Sequence, residues 1–106
     1  MMDMEEIVFQ IILHSGNAKS FAMEAIYKAK EGKFFEADEL LEEANKSFHE
    51  AHIIQTDLIQ KEAGGQKQEL SLLMVHAQDH LMTSMTTRDL AVEIIELYKK
   101  LGIKDE

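Results

Sequence analysis

The chain has 106 residues, 45% hydrophobic and 29% charged, with no Pro, Cys or Trp and a formal net charge of -9. Those figures describe a single ordered domain over 1-106 and exclude a disulfide framework, a thiolate nucleophile and a Cys-ligated zinc. Asp and Glu outnumber Lys and Arg 20 to 11, which argues against nucleic-acid binding, since affinity for a phosphate backbone comes from cations that release counterions. The opening MMDMEEIV is acidic where a signal peptide needs positive charge, and the apolar run Ile11 to Leu13 is far too short to cross a bilayer. The expectation is a cytoplasmic protein without direct membrane insertion.

Without proline, long helices go uninterrupted and glycine does the punctuation. Asp3 as N-cap, Glu5 and Glu6 in the first turn, and Lys28 and Lys30 before Gly32 predict a first helix over about 4-31. Ile7, Ile11, Ala18, Phe21 and Ala25 form its apolar stripe, with His14 in the same row. Gly16, inside Ser15-Gly16-Asn17, allows a turn between two short helices. The periodicity runs in phase across it, so one helix is predicted, weakened there by about 1 kcal/mol relative to Ala.

A second helix is predicted over about 35-63, with Glu36, Asp38 and Glu39 early, Lys61 late and Gly64-Gly65 beyond. Its stripe is Ala37, Leu41, Ala44, Phe48, Ala51, Gln55 and Leu58. The third begins at about Gln68 or Ser71 and closes at Leu101, with Lys99 and Lys100 before Gly102 (about 68-101). Short connections make such neighbours antiparallel, so the expected fold class is all-α, an antiparallel three-helix bundle. Helices about 40 Å long enclose little interior, yet Ile7, Val8, Phe9, Ile11, Ile12 and Leu13 encircle much of the first. A second seam between subunits is therefore expected, and with it a homo-oligomer. The acidic runs Glu36 to Glu43 and Glu93 to Glu96 read as solvated faces.

The reactive inventory reduces to carboxylates and five histidines, His14, His49, His52, His76 and His80. The dense constellation is Val75-His76-Ala77-Gln78-Asp79-His80-Leu81-Met82-Thr83. On a helix, His76, Asp79, His80 and Thr83 share one face amid Leu72, Leu73, Met74, Met82 and Met85, which are core-like surroundings for polar groups. Two readings stand side by side. The imidazoles and the carboxylate bond to one another and fix helix register, or an imidazole serves as nucleophile or metal ligand. Metal templates fit poorly: His49-Glu50-Ala51-His52 is not H-E-x-x-H, and no Glu stands three residues before a histidine, as di-iron bundles require. His14 reads as a packed or partly solvated core residue, and His49 and His52 as structural or supporting neighbours of the third helix. The methionines read as pliable packing, or near His76 as an adaptable docking surface.

The string Ser71-Leu72-Leu73-Met74-Val75-His76-Ala77-Gln78-Asp79-His80-Leu81-Met82-Thr83 resembles the signature of enzyme IIA of the lactose/cellobiose (N,N'-diacetylchitobiose) class of the bacterial phosphoenolpyruvate-dependent sugar phosphotransferase system. The likeness extends to His14-Ser15-Gly16-Asn17-Ala18-Lys19-Ser20, to Ala51 through Gln60 and to Ile94 through Lys99, nearly the whole chain. Lys33 departs from it, standing where an acidic or polar helix cap is expected.

The resemblance implies a homotrimer, a nine-helix bundle, in which His76 accepts a phosphoryl group on Nε2 from phospho-HPr. It implies that His76 passes the group to a cysteine of the cognate enzyme IIB, which serves the IIC permease in disaccharide uptake. Asp79 then corresponds to the carboxylate that binds a divalent cation, magnesium, at the trimer axis, with His80, Gln78 and Thr83 as supporting groups. A neutral imidazole is a competent nucleophile, and the phosphoramidate it forms keeps its transfer potential. Three carboxylates in an apolar interior call for a hard cation with oxygen ligands. Beside the carrier stand two readings of the residues alone: a non-catalytic bundle that binds a metal or partner protein through the His76 to His80 face, and a plain oligomeric scaffold.

Overall fold

The computed structural model describes residues 3–102 as three helices, α1 (Met4–Lys30), α2 (Phe34–Ala63) and α3 (Leu72–Lys100), in the all-α arrangement expected. α1 begins where the Asp3 carboxylate accepts a hydrogen bond from the Glu6 N–H at 2.9 Å, and it runs through Gly16 without a break. It ends at Gly32, whose φ of 79° only glycine adopts without steric cost. There the Lys33 N–H donates to the Lys28 carbonyl at 2.9 Å and the Gly32 N–H to that of Ala29 at 3.0 Å, a Schellman closure. α2 closes in the same way at Gly65.

α2 starts one residue earlier than predicted, with Lys33 at its N-cap making no side-chain bond. Of the two starts expected for the third helix, the structure takes the later: α3 begins at Leu72, because Ser71 is extended and its hydroxyl accepts the Met74 N–H at 3.1 Å. Glu31 and Leu101, the predicted last residues of α1 and α3, are their C-caps.

α1 packs along both other helices, whereas α2 and α3 meet over less of their surface. Its buried row is Val8, Ile11, Ser15, Ala18, Ala22, Ala25 and Ala29, so the predicted stripe is rotated: Ile7, His14 and Phe21 are only half-buried. A helix shared by two neighbours turns the bisector of both seams inward, and small side chains there let the backbones approach. α2 buries Ala37, Ala44, Phe48, Ala51 and Leu58 as predicted, and its acidic run lies in solvent. Large side chains, among them Phe48, Leu58 and Leu81, gather at the end of the bundle beneath the candidate site. The middle and far end pack mainly on alanines.

Polar bonds tie α2 to α3 at three levels. Gln55 Nε2 donates to Gln78 Oε1 at 2.6 Å, Arg88 donates to Asn45 at 2.6 Å while lying over the Phe48 ring, and Lys99 Nζ meets Asp38 at 2.9 Å.

The bundle measures 56 × 20 × 19 Å. Its accessible surface of 7059 Å² exceeds the roughly 6000 Å² expected of a compact monomer of this mass. Part of the surplus is apolar. Phe9 on α1 is 60% exposed, and Leu72, Leu90 and Leu97 on the outer side of α3 are 86%, 56% and 58% exposed. No helix among the described residues is long and apolar enough to cross a membrane.

Candidate functional site

The first half of α3 carries the polar constellation, but not at core-like positions. α3 turns Met74, Ala77, Leu81, Ser84, Ala91 and Ile95 toward its neighbours, which leaves His76, Asp79 and Thr83 exposed and His80 half-buried. Leu72, Leu73, Val75 and Met82 are exposed beside them, while Met74 belongs to the core. The site is thus an apolar surface bearing polar groups.

One helical turn separates His76 from His80, and the two rings stack, their centroids 6.0 Å apart and their planes 8° from parallel. The backbone beneath His80 is held in place. Its carbonyl accepts from the Thr83 hydroxyl at 3.2 Å and from the Ser84 hydroxyl at 2.7 Å. Ser84 Oγ also lies 2.9 Å from the Ser15 carbonyl of α1, so its one proton is shared between two acceptors on two helices. Ser15 is fully buried, and its own hydroxyl finds no partner among the described residues.

Of the supporting groups expected from the resemblance, Thr83 turns its hydroxyl back onto the helix and His80 lies against His76. Gln78 is corrected. Two residues from His76 is 200° around a helix, and Gln78 faces α2, bonded to Gln55 with its amide 3.7 Å from Met74 Sδ. His14 is half-buried as read, but His49 and His52 are exposed and form no part of the core. Asp79 stands exposed on the outer stripe of α3, in line with Leu72, Val75 and Met82. Among the described residues, no three His, Asp or Glu side chains of one chain gather around a common point to hold a metal ion.

With this geometry in place, comparison with known proteins is decisive. The family described as PTS system, Lactose/Cellobiose specific IIA subunit matches residues 6–99. The chain belongs to that family. The lichenan-specific phosphotransferase enzyme IIA component of Bacillus subtilis is 60% identical over 93% of this chain and 90% of its own length. The N,N'-diacetylchitobiose-specific EIIA component of Escherichia coli K12 is 46% identical over 93% and 85%. Among solved structures, the cellobiose-specific enzyme IIA of Bacillus anthracis superposes with a TM-score of 0.91 at 57% identity, covering 98% of this chain and 96% of that one. The IIA(Chitobiose) subunit of Escherichia coli, solved in complex with HPr, gives 0.83 at 44% identity over 96% and 99%.

Within this IIA subunit, sequence reasoning missed Ser15 and Ser84 as the link between α1 and the site. A signal was present. Ser84 follows His80 by one turn, and Ser15-Gly16 keeps two poor helix formers in the middle of a long helix.

Proposed function

We propose that this IIA subunit is a phosphoryl carrier whose acceptor is His76, taking the group from phospho-HPr and passing it to a cysteine of its enzyme IIB during disaccharide uptake in the cytoplasm. The placement of His76 carries the reading: an imidazole that merely fixed register would be buried and bonded, and this one is exposed on an apolar surface. The relatives of lichenan, chitobiose and cellobiose type, and the neighbour solved with HPr, support the same role.

In the first step the lone pair of His76 Nε2 attacks phosphorus. The bond from phosphorus to the donor breaks, and its electron pair leaves with HPr. In the second a thiolate of IIB attacks, the N–P bond breaks, and the imidazole recovers its electron pair. Little is asked of the protein beyond alignment and charge stabilisation. His80, stacked beside His76, is placed on this helix to steady the group.

The same reading includes a homotrimer. The exposed row Leu72, Val75, Met82, Leu90 and Leu97 runs the length of α3 as one helical stripe, with Asp79 inside it. Three copies of that seam would bring three carboxylates together. One chain offers a single carboxylate there, so the residues fit a divalent cation, magnesium by ligand type, only as an assembly. When bound, the cation would offset most of the clustered negative charge.

The test is intact mass after incubation with phosphoenolpyruvate, enzyme I and HPr, for wild type and His76→Ala. One acid-labile, base-stable phosphoryl group on the wild type alone is the expected result. No gain in either would return the chain to a metal-binding, partner-binding or scaffold role, and a gain in both would move the acceptor to another histidine.

A further inference from the structure

A glycine in the interior of a 27-residue helix needs a reason, because it weakens the helix relative to alanine. Conformation is not the reason. The positive-φ glycines among the described residues are Gly32, Gly65 and Gly102, whereas Gly16 sits in unbroken α1. Space is the reason. A Cβ built at position 16 would lie 3.3 Å from His80 Nε2, and beyond the chain neighbours and the helix's own nearby backbone it would meet no other atom of the described residues within 4 Å.

His80 is thus bounded on two sides. One edge of its imidazole rests against the bare backbone of α1 at Gly16, and one face is presented in parallel to His76. Its carbonyl is held by Thr83 and Ser84, and Ser84 reaches the carbonyl of Ser15, the residue before Gly16. The backbone of α3 spaces the two histidines, and the close approach of α1, which the missing Cβ permits, bounds where the His80 ring can stand. We infer that Gly16 is a positioning residue of the phosphoryl carrier: it seats His80 against α1 and so sets where His80 stands beside His76.

The inference rests on the carrier reading and deepens it. Gly16→Ala adds a methyl group that the His80 ring must avoid by a few tenths of an ångström, while raising helix propensity. Structure and chemistry are thereby made to move in opposite directions.

The experiment measures phosphoryl transfer from phospho-HPr to wild type, Gly16→Ala, His80→Ala and the double variant, with melting temperature and the NMR signals of the His80 ring alongside. For Gly16→Ala we expect transfer slowed about three- to tenfold, since sub-ångström misplacement of reacting groups costs rate steeply. The loss should fall on turnover and leave the apparent affinity for phospho-HPr unchanged, the melting temperature should be no lower than wild type, and the His80 ring signals should shift. In the His80→Ala background the glycine substitution should cause no further slowing. Wild-type transfer in Gly16→Ala overturns the inference. So does equal slowing with and without His80, or slowing accompanied by a lowered melting temperature and unshifted ring signals. A wild type that takes no phosphoryl group would sink the carrier reading itself, a separate outcome.

Discussion

The hydroxyl of Ser84 lies 2.9 Å from the backbone carbonyl of Ser15 and 2.7 Å from that of His80, which makes it the buried polar joint between α1 and the helix that carries the site. The Ser15 hydroxyl beside this joint has no partner among the described residues. Two substitutions of the same chemical kind should therefore differ in sign. Ser84→Ala removes a satisfied donor and should cost about 1–2 kcal/mol, whereas Ser15→Ala removes an orphaned hydroxyl and should stabilise by about 0.5–1 kcal/mol. Urea denaturation of both variants checks this. Destabilisation by both would mean that the Ser15 hydroxyl is paired after all.

Asp79 should make assembly sensitive to chelation. Removing divalent cations from the wild type should weaken self-association by roughly tenfold or more, because carboxylates gathered in an apolar seam repel one another. Asp79→Asn should self-associate equally well with and without a chelator. Sedimentation velocity across a concentration series reads both, and chelator-insensitive assembly of the wild type would remove the cation from the account.

Gln78 should behave as a packing residue. Gln78→Ala and Gln55→Ala should each cost about 1 kcal/mol of stability and be strongly non-additive, since the two amides bond at 2.6 Å. Phosphoryl transfer by Gln78→Ala should stay within about twofold of wild type at a temperature where both are folded. A large loss of transfer would show that Gln78 serves the chemistry from the far side of α3.

Much of the architecture was legible because it depends on local rules. Asp3, Ser71, Gly32 and Gly65 act at helix ends through bonds a few residues long, and the row Ala37, Ala44, Phe48, Ala51 and Leu58 follows helical spacing. The row on α1 was misread because two helices press on α1 and rotate its buried arc toward Val8, Ser15 and Ala22. Of the two starts left open for α3, about Gln68 and Ser71, the later one holds because the Ser71 hydroxyl makes the capping bond.

The candidate site divides in the same way. Residue identity and i, i+3, i+4 spacing suffice to put His76, Asp79 and His80 on one helix face, since a helix has one pitch whatever surrounds it. Whether that face turns inward or to solvent depends on where α1 and α2 lie, and they take the opposite arc. The same is true of Gly16. Its mid-helix position is plain from the chain, but its closeness to His80, 64 positions later, exists only once two helices have packed, because non-local distances are set by packing and not by spacing along the backbone.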